Sequence, residues 1–332
     1  MKNCGALLGL AVGDALGTTL EFEHLPAPPF PRFASVPLTG IVGGGPLHVA
    51  AGQVTDDTQM ACCLYASLSS RGAFDATDVA TRYVEWAAHA RHFDIGIQTD
   101  GALRLVEEGS EPLEAGKLLW LKRNRQAAAN GSLMRTAPIG ALLADAPHAR
   151  RVAALDDSAI THFDPRCRLA CAAFDAAIAA AMLTSPDAHA MWQAAWDELD
   201  VAAGLIVAAY GDGLLESAVS ALKTDLGMAT EDDPQLYGPE LHLNQKVGFV
   251  RIAFRLAFWE LLHRPTFEEA VLDSANRGGD ADTNTAIVGA LVGSSVGVDG
   301  IPADWRRTVL ECQPIGSPVW ATTYHPKIFG CG

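Results

Sequence analysis

The stretch Pro165-Arg166-Cys167-Arg168-Leu169-Ala170-Cys171-Ala172-Ala173-Phe174-Asp175-Ala176-Ala177-Ile178-Ala179-Ala180-Ala181-Met182-Leu183 decides the fold class. Alanine is the best helix former, and Phe174, Ile178 and Met182 recur every four residues, the spacing that places side chains on one helical face. Alanine-rich segments of the same kind recur at 58–69, 76–89, 187–209, 245–262 and 283–297. Alternation of β-branched and polar residues is weak even in its best candidate, 247–252. The sequence therefore predicts an all-α chain, read as one domain over residues 1–332.

Composition narrows the function. Of 332 residues 49% are apolar and 19% charged, enough to bury a large core, which excludes global disorder. Thirty-nine acids against 24 bases leave a formal charge of −15. With no basic stretch to offset it, neither nucleic acid nor an anionic membrane surface is an expected partner. The longest nearly uncharged apolar run, Ala286 to Val298, contains Ser294 and Ser295 and falls short of the ~20 residues a membrane span needs. The apolar opening up to Val12 resembles a secretory leader, but Asp14 ends it without a small-residue cleavage pattern, so it is read as a buried first helix. The seven cysteines are odd in number and lack any CxxC spacing. They are expected to be small core residues in a reducing cytoplasm.

Two acid-rich turns carry the chemistry. In Gly52-Gln53-Val54-Thr55-Asp56-Asp57-Thr58 a loop enters a helix with two adjacent carboxylates, more than a helix cap requires. More than 220 residues later, Gly278-Gly279-Asp280-Ala281-Asp282-Thr283 does the same. Counted from Asp280, an EF-hand would need Gly at position six and Glu at twelve, where Thr285 and Leu291 stand. A phosphoryl-aspartate site would want an apolar strand before the acids, where two glycines stand instead. If both turns meet, each pair of carboxylates repels by about 4 kcal/mol at 4 Å and an effective dielectric near 20. Arg277 alone cannot neutralise four charges, whereas divalent metal can. An all-oxygen donor set from Asp and Thr selects Mg²⁺ or Mn²⁺ over Zn²⁺, and the number of carboxylates suits two ions.

Asp14 and Glu21 supply further acids in Gly13-Asp14-Ala15-Leu16-Gly17-Thr18-Thr19-Leu20-Glu21, each readable as site or as ordinary capping acid, with Gly17 interrupting the helix between them. Asn130-Gly131-Ser132-Leu133-Met134-Arg135, read as opening a helix, and the triple glycine Gly43-Gly44-Gly45 are either turns or amide cradles for phosphate. His162 is a lone histidine in Ile160-Thr161-His162. Gly293-Ser294-Ser295-Val296-Gly297 fits G-x-S-x-G but lies late in a helix, not at a strand-to-helix elbow.

In order along the chain, Gly9-Leu10-Ala11-Val12-Gly13-Asp14-Ala15-Leu16-Gly17, the Thr55-Asp56-Asp57 turn, Asp94-Ile95-Gly96, the Asn130 motif, Ile160-Thr161-His162 and the Gly278–Asn284 turn resemble the ADP-ribosylglycohydrolase family. The resemblance implies an all-α globule with a dinuclear Mg²⁺ or Mn²⁺ centre beneath an ADP-ribose cleft. It implies Thr55, Asp56, Asp57, Asp280, Asp282 and Thr283 as metal ligands, and Glu21, Asp94 and the metal-holding Asp57 as catalytic carboxylates. Gly43, Gly44, Gly45, Gly96, Asn130, Gly131, Ser132, Met134 and His162 would line the substrate. The segment before Asn130 reads Arg123-Asn124-Arg125-Gln126 and lacks an acid that some relatives carry. The implied reaction is metal-dependent hydrolysis of the bond between ADP-ribose and a protein side chain, arginine foremost, with ADP-ribose as product. ADP-ribosyl-serine, O-acetyl-ADP-ribose, or non-catalytic ADP-ribose binding are the alternatives.

Overall fold

Helices that are apolar on every side must be surrounded by other elements rather than laid on a surface. The computed structural model, which describes residues 4–27, 38–183, 187–210 and 213–331, places three such helices at its centre. They are α1 (Cys4–Gly17), α8 (Pro165–Leu183) and α13 (Ala281–Val296), buried along nearly their whole length. Between α1 and α8 run α2 (Asp56–Arg71), α3 (Ala76–Ala90), α4 (Ile97–Glu107), α5 (Pro112–Lys122), α6 (Ala137–Leu142) and α7 (Pro147–Thr161). α9 (Ala188–Ile206), α10 (Leu214–Met228), α11 (Val250–His263) and α12 (Phe267–Ala275) lead to α13, and α14 (Ala303–Glu311) follows it. Among the described residues there is no strand beyond isolated bridges, so the all-α expectation holds.

The most extensive helix pairing is α1 with α13. Glycine makes it possible. A Cβ on Gly9 would lie 2.1 Å from the Gly289 carbonyl oxygen, and one on Gly13 2.1 Å from that of Thr285. The two backbones therefore touch directly, the geometry small residues at four-residue spacing allow between helices.

Several sequence boundaries are corrected. The expected 245–262 helix starts at Val250, because Gly248 takes φ +76° and the preceding residues turn; 247–252 is thus a turn running into a helix. The 187–209 segment is α helical to Ile206 and finishes as a 3₁₀ turn, Val207–Ala209. The Asn130 motif does not open a helix: residues 131–135 form tight turns and α6 begins at Ala137. Five cysteines are buried free thiols as expected, but Cys4 and Cys331 form a disulfide that ties the start of α1 to the C-terminal segment. Of the Pro/Gly-rich 25–52 segment, Pro28, Pro29, Pro31 and Pro37 lie outside the described residues.

Candidate metal centre

Both acid-rich turns are held by carboxylates from the end of the first helical segment. Asp14, completely buried on α1, accepts hydrogen bonds from the Thr55 amide (3.0 Å), the Thr58 amide (3.1 Å) and the hydroxyls of Thr55 (2.8 Å) and Thr58 (2.5 Å). It thus caps α2 from another helix, and Thr55 caps nothing with its own side chain. Glu21 does the equivalent for α13: its Oε2 accepts from the amides of Ala281 (2.6 Å) and Asp282 (3.2 Å). α1 ends at Gly17 and a 3₁₀ turn, Thr18–Leu20, redirects the chain so that Glu21 reaches this position.

Irregular pairings draw the remaining loops in. His24 bridges to Gly278, and Ala129 to Phe249. Phe22, exposed and in the left-handed region at φ 60°, donates its amide to the Gly279 carbonyl at 2.7 Å. The side-chain amide nitrogen of Asn130 donates to Asp280 Oδ2 at 2.6 Å, which joins the Asn130 turn to the acid cluster. Glu21, Asp280 and Asp282 each offer a carboxylate oxygen, all within 4.8 Å of one another.

Asp14, which binds the first turn, and Glu21, which binds the second, belong to one short segment, and the carboxylates of both turns act on one another. Burial and then Asp282 and Asp280 push the Glu21 carboxyl well above its ordinary range. Burial, then Asp282, Asp14, Asp56 and Asp280, does the same to Asp57. Asp282 is raised by burial and by Asp280, Asp14 and Asp56, and Asp280 by burial. Asp56 is pushed up to about 7 by burial, Asp14 and Asp280, and Asp14 to about 6 by burial. Nearby guanidiniums are committed elsewhere: Arg277 pairs with Asp273 at 2.6 Å and Arg135 with Asp157 at 3.0 Å. Asp57 Oδ1 is buried without a hydrogen-bond partner. A buried all-oxygen donor set with mutually repelling carboxylates and an orphan acceptor fits a hard divalent cation.

A pH effect follows for the metal-free protein. Carboxyls whose folded pKa exceeds the unfolded value near 3.8 bind more protons when folded, so they contribute stability below about pH 4 that is lost as pH rises through about 6 to 7, the values for Asp14 and Asp56. Metal-free melting temperature is expected to fall across pH 4 to 7, and added Mg²⁺ to raise it more at pH 8 than at pH 5. Calorimetry in chelator and in Mg²⁺ checks both; equal shifts at the two pH values would contradict the account.

Other sequence candidates are distributed as follows. The Asp94 carboxyl is raised by desolvation and then by the charges of Asp56 and Asp282, which places it beside the acid cluster, and Gly96 follows it two residues on. Gly43, Gly44 and Gly45 all have positive φ, and the Gly43 carbonyl accepts from Thr19 Oγ1, so the loop rests on the turn before Glu21. Gly131 packs on the imidazole of His162, where a Cβ would lie 2.9 Å from Cε1. His162 is buried, and its ring, depressed well below its usual range by burial and Arg135, contacts Thr161 Oγ1 at 2.7 Å. Ser132 is also turned inward and accepts from Ser158 Oγ, and Met134 is buried. Sequence reasoning leaves Asp14 between site and capping acid and quotes Thr58 in the first turn without a role; the Thr58 hydroxyl donates to Asp14, 44 residues away. The four-residue glycine spacing in α1, repeated at Gly289 and Gly293, is the available signal.

The family profile described as ADP-ribosylglycohydrolase matches residues 2–323 of this sequence. The chain belongs to the ADP-ribosylglycohydrolase family. It is 30% identical over 324 residues to the ADP-ribosylarginine hydrolase Tri1 of Pseudomonas putida, covering 94% of this chain and 75% of that one. It is 27% identical to the ADP-ribosyl-[dinitrogen reductase] glycohydrolase of Rhodospirillum rubrum, covering 91% and 87%. A solved structure of an ADP-ribosylglycohydrolase-related protein complex superposes with a TM-score of 0.71 at 26% identity, covering 99% of this chain and 97% of that one. This ADP-ribosylglycohydrolase family member is therefore a hydrolase whose acid cluster suits a metal ion. No helix among the described residues is long and apolar enough to cross a membrane.

Proposed function

We propose that this chain is a metal-dependent hydrolase that releases ADP-ribose from arginine side chains of modified proteins. The observation that carries the reading is the pair of buried acid-rich helix starts bound from one segment by Asp14 and Glu21, with carboxylate oxygens of Glu21, Asp280 and Asp282 within 4.8 Å of one another. Similarity to an ADP-ribosylarginine hydrolase supports arginine as the linkage. The activity would reside in a single domain over residues 1–332, a reading supported by a main apolar core that draws on residues from Ala6 to Phe329, with a small satellite cluster around Trp120 and Phe163. A cytoplasmic setting is part of the proposal: five of the seven cysteines are buried free thiols, the state a reducing compartment maintains, and the Cys4–Cys331 disulfide is the feature that stands against it.

In this reading Thr55, Asp56, Asp57, Asp280, Asp282 and Thr283 would hold two Mg²⁺ or Mn²⁺ ions. When bound, such ions supply Lewis-acid polarisation and make hydroxide available near neutral pH. Glu21, fixed by two backbone amides, and Asp94, whose carboxyl feels the charge of Asp56, are the carboxylates that would move the proton between water and the departing guanidine nitrogen. An anionic environment also favours the positive charge that develops at the anomeric carbon as the glycosidic bond breaks. Gly43–Gly45, Gly96 and the Asn130–Met134 turn would border the ADP-ribose. There Asn130 would act by orienting Asp280, and His162 by supporting Gly131 from below.

Purified protein is expected to release free ADP-ribose from ADP-ribosyl-arginine peptides in Mg²⁺ or Mn²⁺ and not in chelator. ADP-ribose should raise the melting temperature only when metal is present. Release from ADP-ribosyl-serine peptides or O-acetyl-ADP-ribose instead would change the assigned bond. Tight metal and ADP-ribose binding without turnover on any of these would make the protein a binder.

A further inference from the structure

We propose that Asp14 is a positioning residue that aims the Thr55 hydroxyl oxygen at the cation; this rests on the metal-dependent reading above. A threonine hydroxyl has one proton and two lone pairs. Thr55 Oγ1 has two carboxylate oxygens within hydrogen-bonding reach, Asp14 Oδ1 at 2.8 Å and Asp57 Oδ2 at 3.1 Å, and can donate to one of them. Asp14 takes it. The Asp14 carboxylate is completely buried and already accepts both the Thr55 and Thr58 amides and the Thr58 hydroxyl. It is the nearer acceptor, and the amides and hydroxyls of Thr55 and Thr58 all donate to it.

With its proton committed to Asp14, Thr55 Oγ1 presents lone pairs towards Asp57 Oδ2. Once Asp57 is ionised, as a metal ligand must be, these two acceptor oxygens face each other at 3.1 Å without a shared proton and repel, and the other Asp57 oxygen, Oδ1, is buried with no partner. That pattern invites a cation and is unsuited to neutral hydrogen bonding. Supporting partners of this kind orient metal ligands and are worth about 10–100-fold in affinity. The close contact of α1 with α13, made by Gly9 and Gly13, fixes Asp14 in place behind the turn.

The test is Mn²⁺ and Mg²⁺ affinity, by calorimetric titration without substrate, of wild type, Asp14→Asn, Thr55→Val and the double variant, with circular dichroism as the folding control. Asp14→Asn keeps the shape of the side chain but leaves one acceptor oxygen, and the amide nitrogen it introduces would face N–H or O–H donors. Asp14→Asn and Thr55→Val should each weaken binding on the order of 10-fold or more, and the double variant should be no weaker than about 3-fold beyond either. Fully multiplicative losses, or wild-type affinity in Asp14→Asn, would overturn the positioning role alone. Should Asp14→Asn fail to fold, Thr55→Ser and Thr55→Val decide: serine must bind within about 3-fold of wild type and valine must not. Equal binding by the two overturns the proposal. Absence of metal binding by the wild type would overturn the metal-dependent reading together with it.

Discussion

Asp282→Asn is expected to abolish turnover, by on the order of 10²–10³-fold or more, while leaving the metal-free protein at least as stable as the wild type. Asp282 sits buried in the first turn of α13 among Asp280, Asp14 and Asp56, all of which raise its carboxyl further after burial itself. Its Oδ1 accepts from the Thr283 amide at 2.7 Å, an interaction that asparagine retains. What the substitution removes is one negative charge. In metal-free protein that relieves like-charge repulsion, which reaches about 4 kcal/mol for a pair at 4 Å and an effective dielectric near 20. In the proposed metal-dependent enzyme it removes a charge that bound cations would require. Two measurements are decisive: kcat at saturating metal and substrate, and melting temperature with and without Mg²⁺. Activity near wild type, or an undiminished Mg²⁺-induced rise in melting temperature, would refute the assignment of Asp282.

Gly9→Ala is expected to cost about 3 kcal/mol of stability, the upper end for overpacking a tight contact. The added methyl carbon would sit 2.1 Å from the Gly289 carbonyl oxygen and 2.9 Å from its carbon. Those are backbone atoms of a buried helix, with no rotamer to move aside, so α1 and α13 must separate. The intrinsic preference of a helix for alanine, about 1 kcal/mol, offsets only part of this. Separation would also carry Asp14 away from Thr55 and Thr58 and Glu21 from the start of α13, so metal affinity should fall with stability. Gly204 in α9 is the control, since a Cβ there meets nothing within 4 Å; Gly204→Ala should stabilise by about 0.5–1 kcal/mol. Denaturant unfolding of both variants checks the pair. A Gly9→Ala protein as stable as wild type would show that the helix contact is not close.

The parts of the site that are legible in the sequence are those whose chemistry is local. Thr55-Asp56-Asp57 and Asp280-Ala281-Asp282 each announce themselves as acids delivered to a helix start, and electrostatics implies a shared cation if they meet. Asn130 is visible only as a turn residue. Its partner, Asp280, is 150 positions away, so nothing nearby in sequence signals the hydrogen bond. The Asn130 turn reads as a helix start because Asn, Gly and Ser suit both, and the deciding contact is the Asn130 backbone amide donated to the Gly248 carbonyl of another loop. The Cys4–Cys331 disulfide escapes for the same reason, spanning 327 residues with no CxxC spacing.

By itself the sequence determined an α-helical chain, through alanine content and four-residue apolar spacing, and two acid-rich helix starts, because propensity and capping act within a few residues. Only tertiary structure decided that one helix, α1, brings Asp14 behind one turn and is followed by Glu21 capping the other. That depends on glycine letting two backbones touch, and steric fit between segments more than 270 positions apart is a property of packing, which no local interaction encodes.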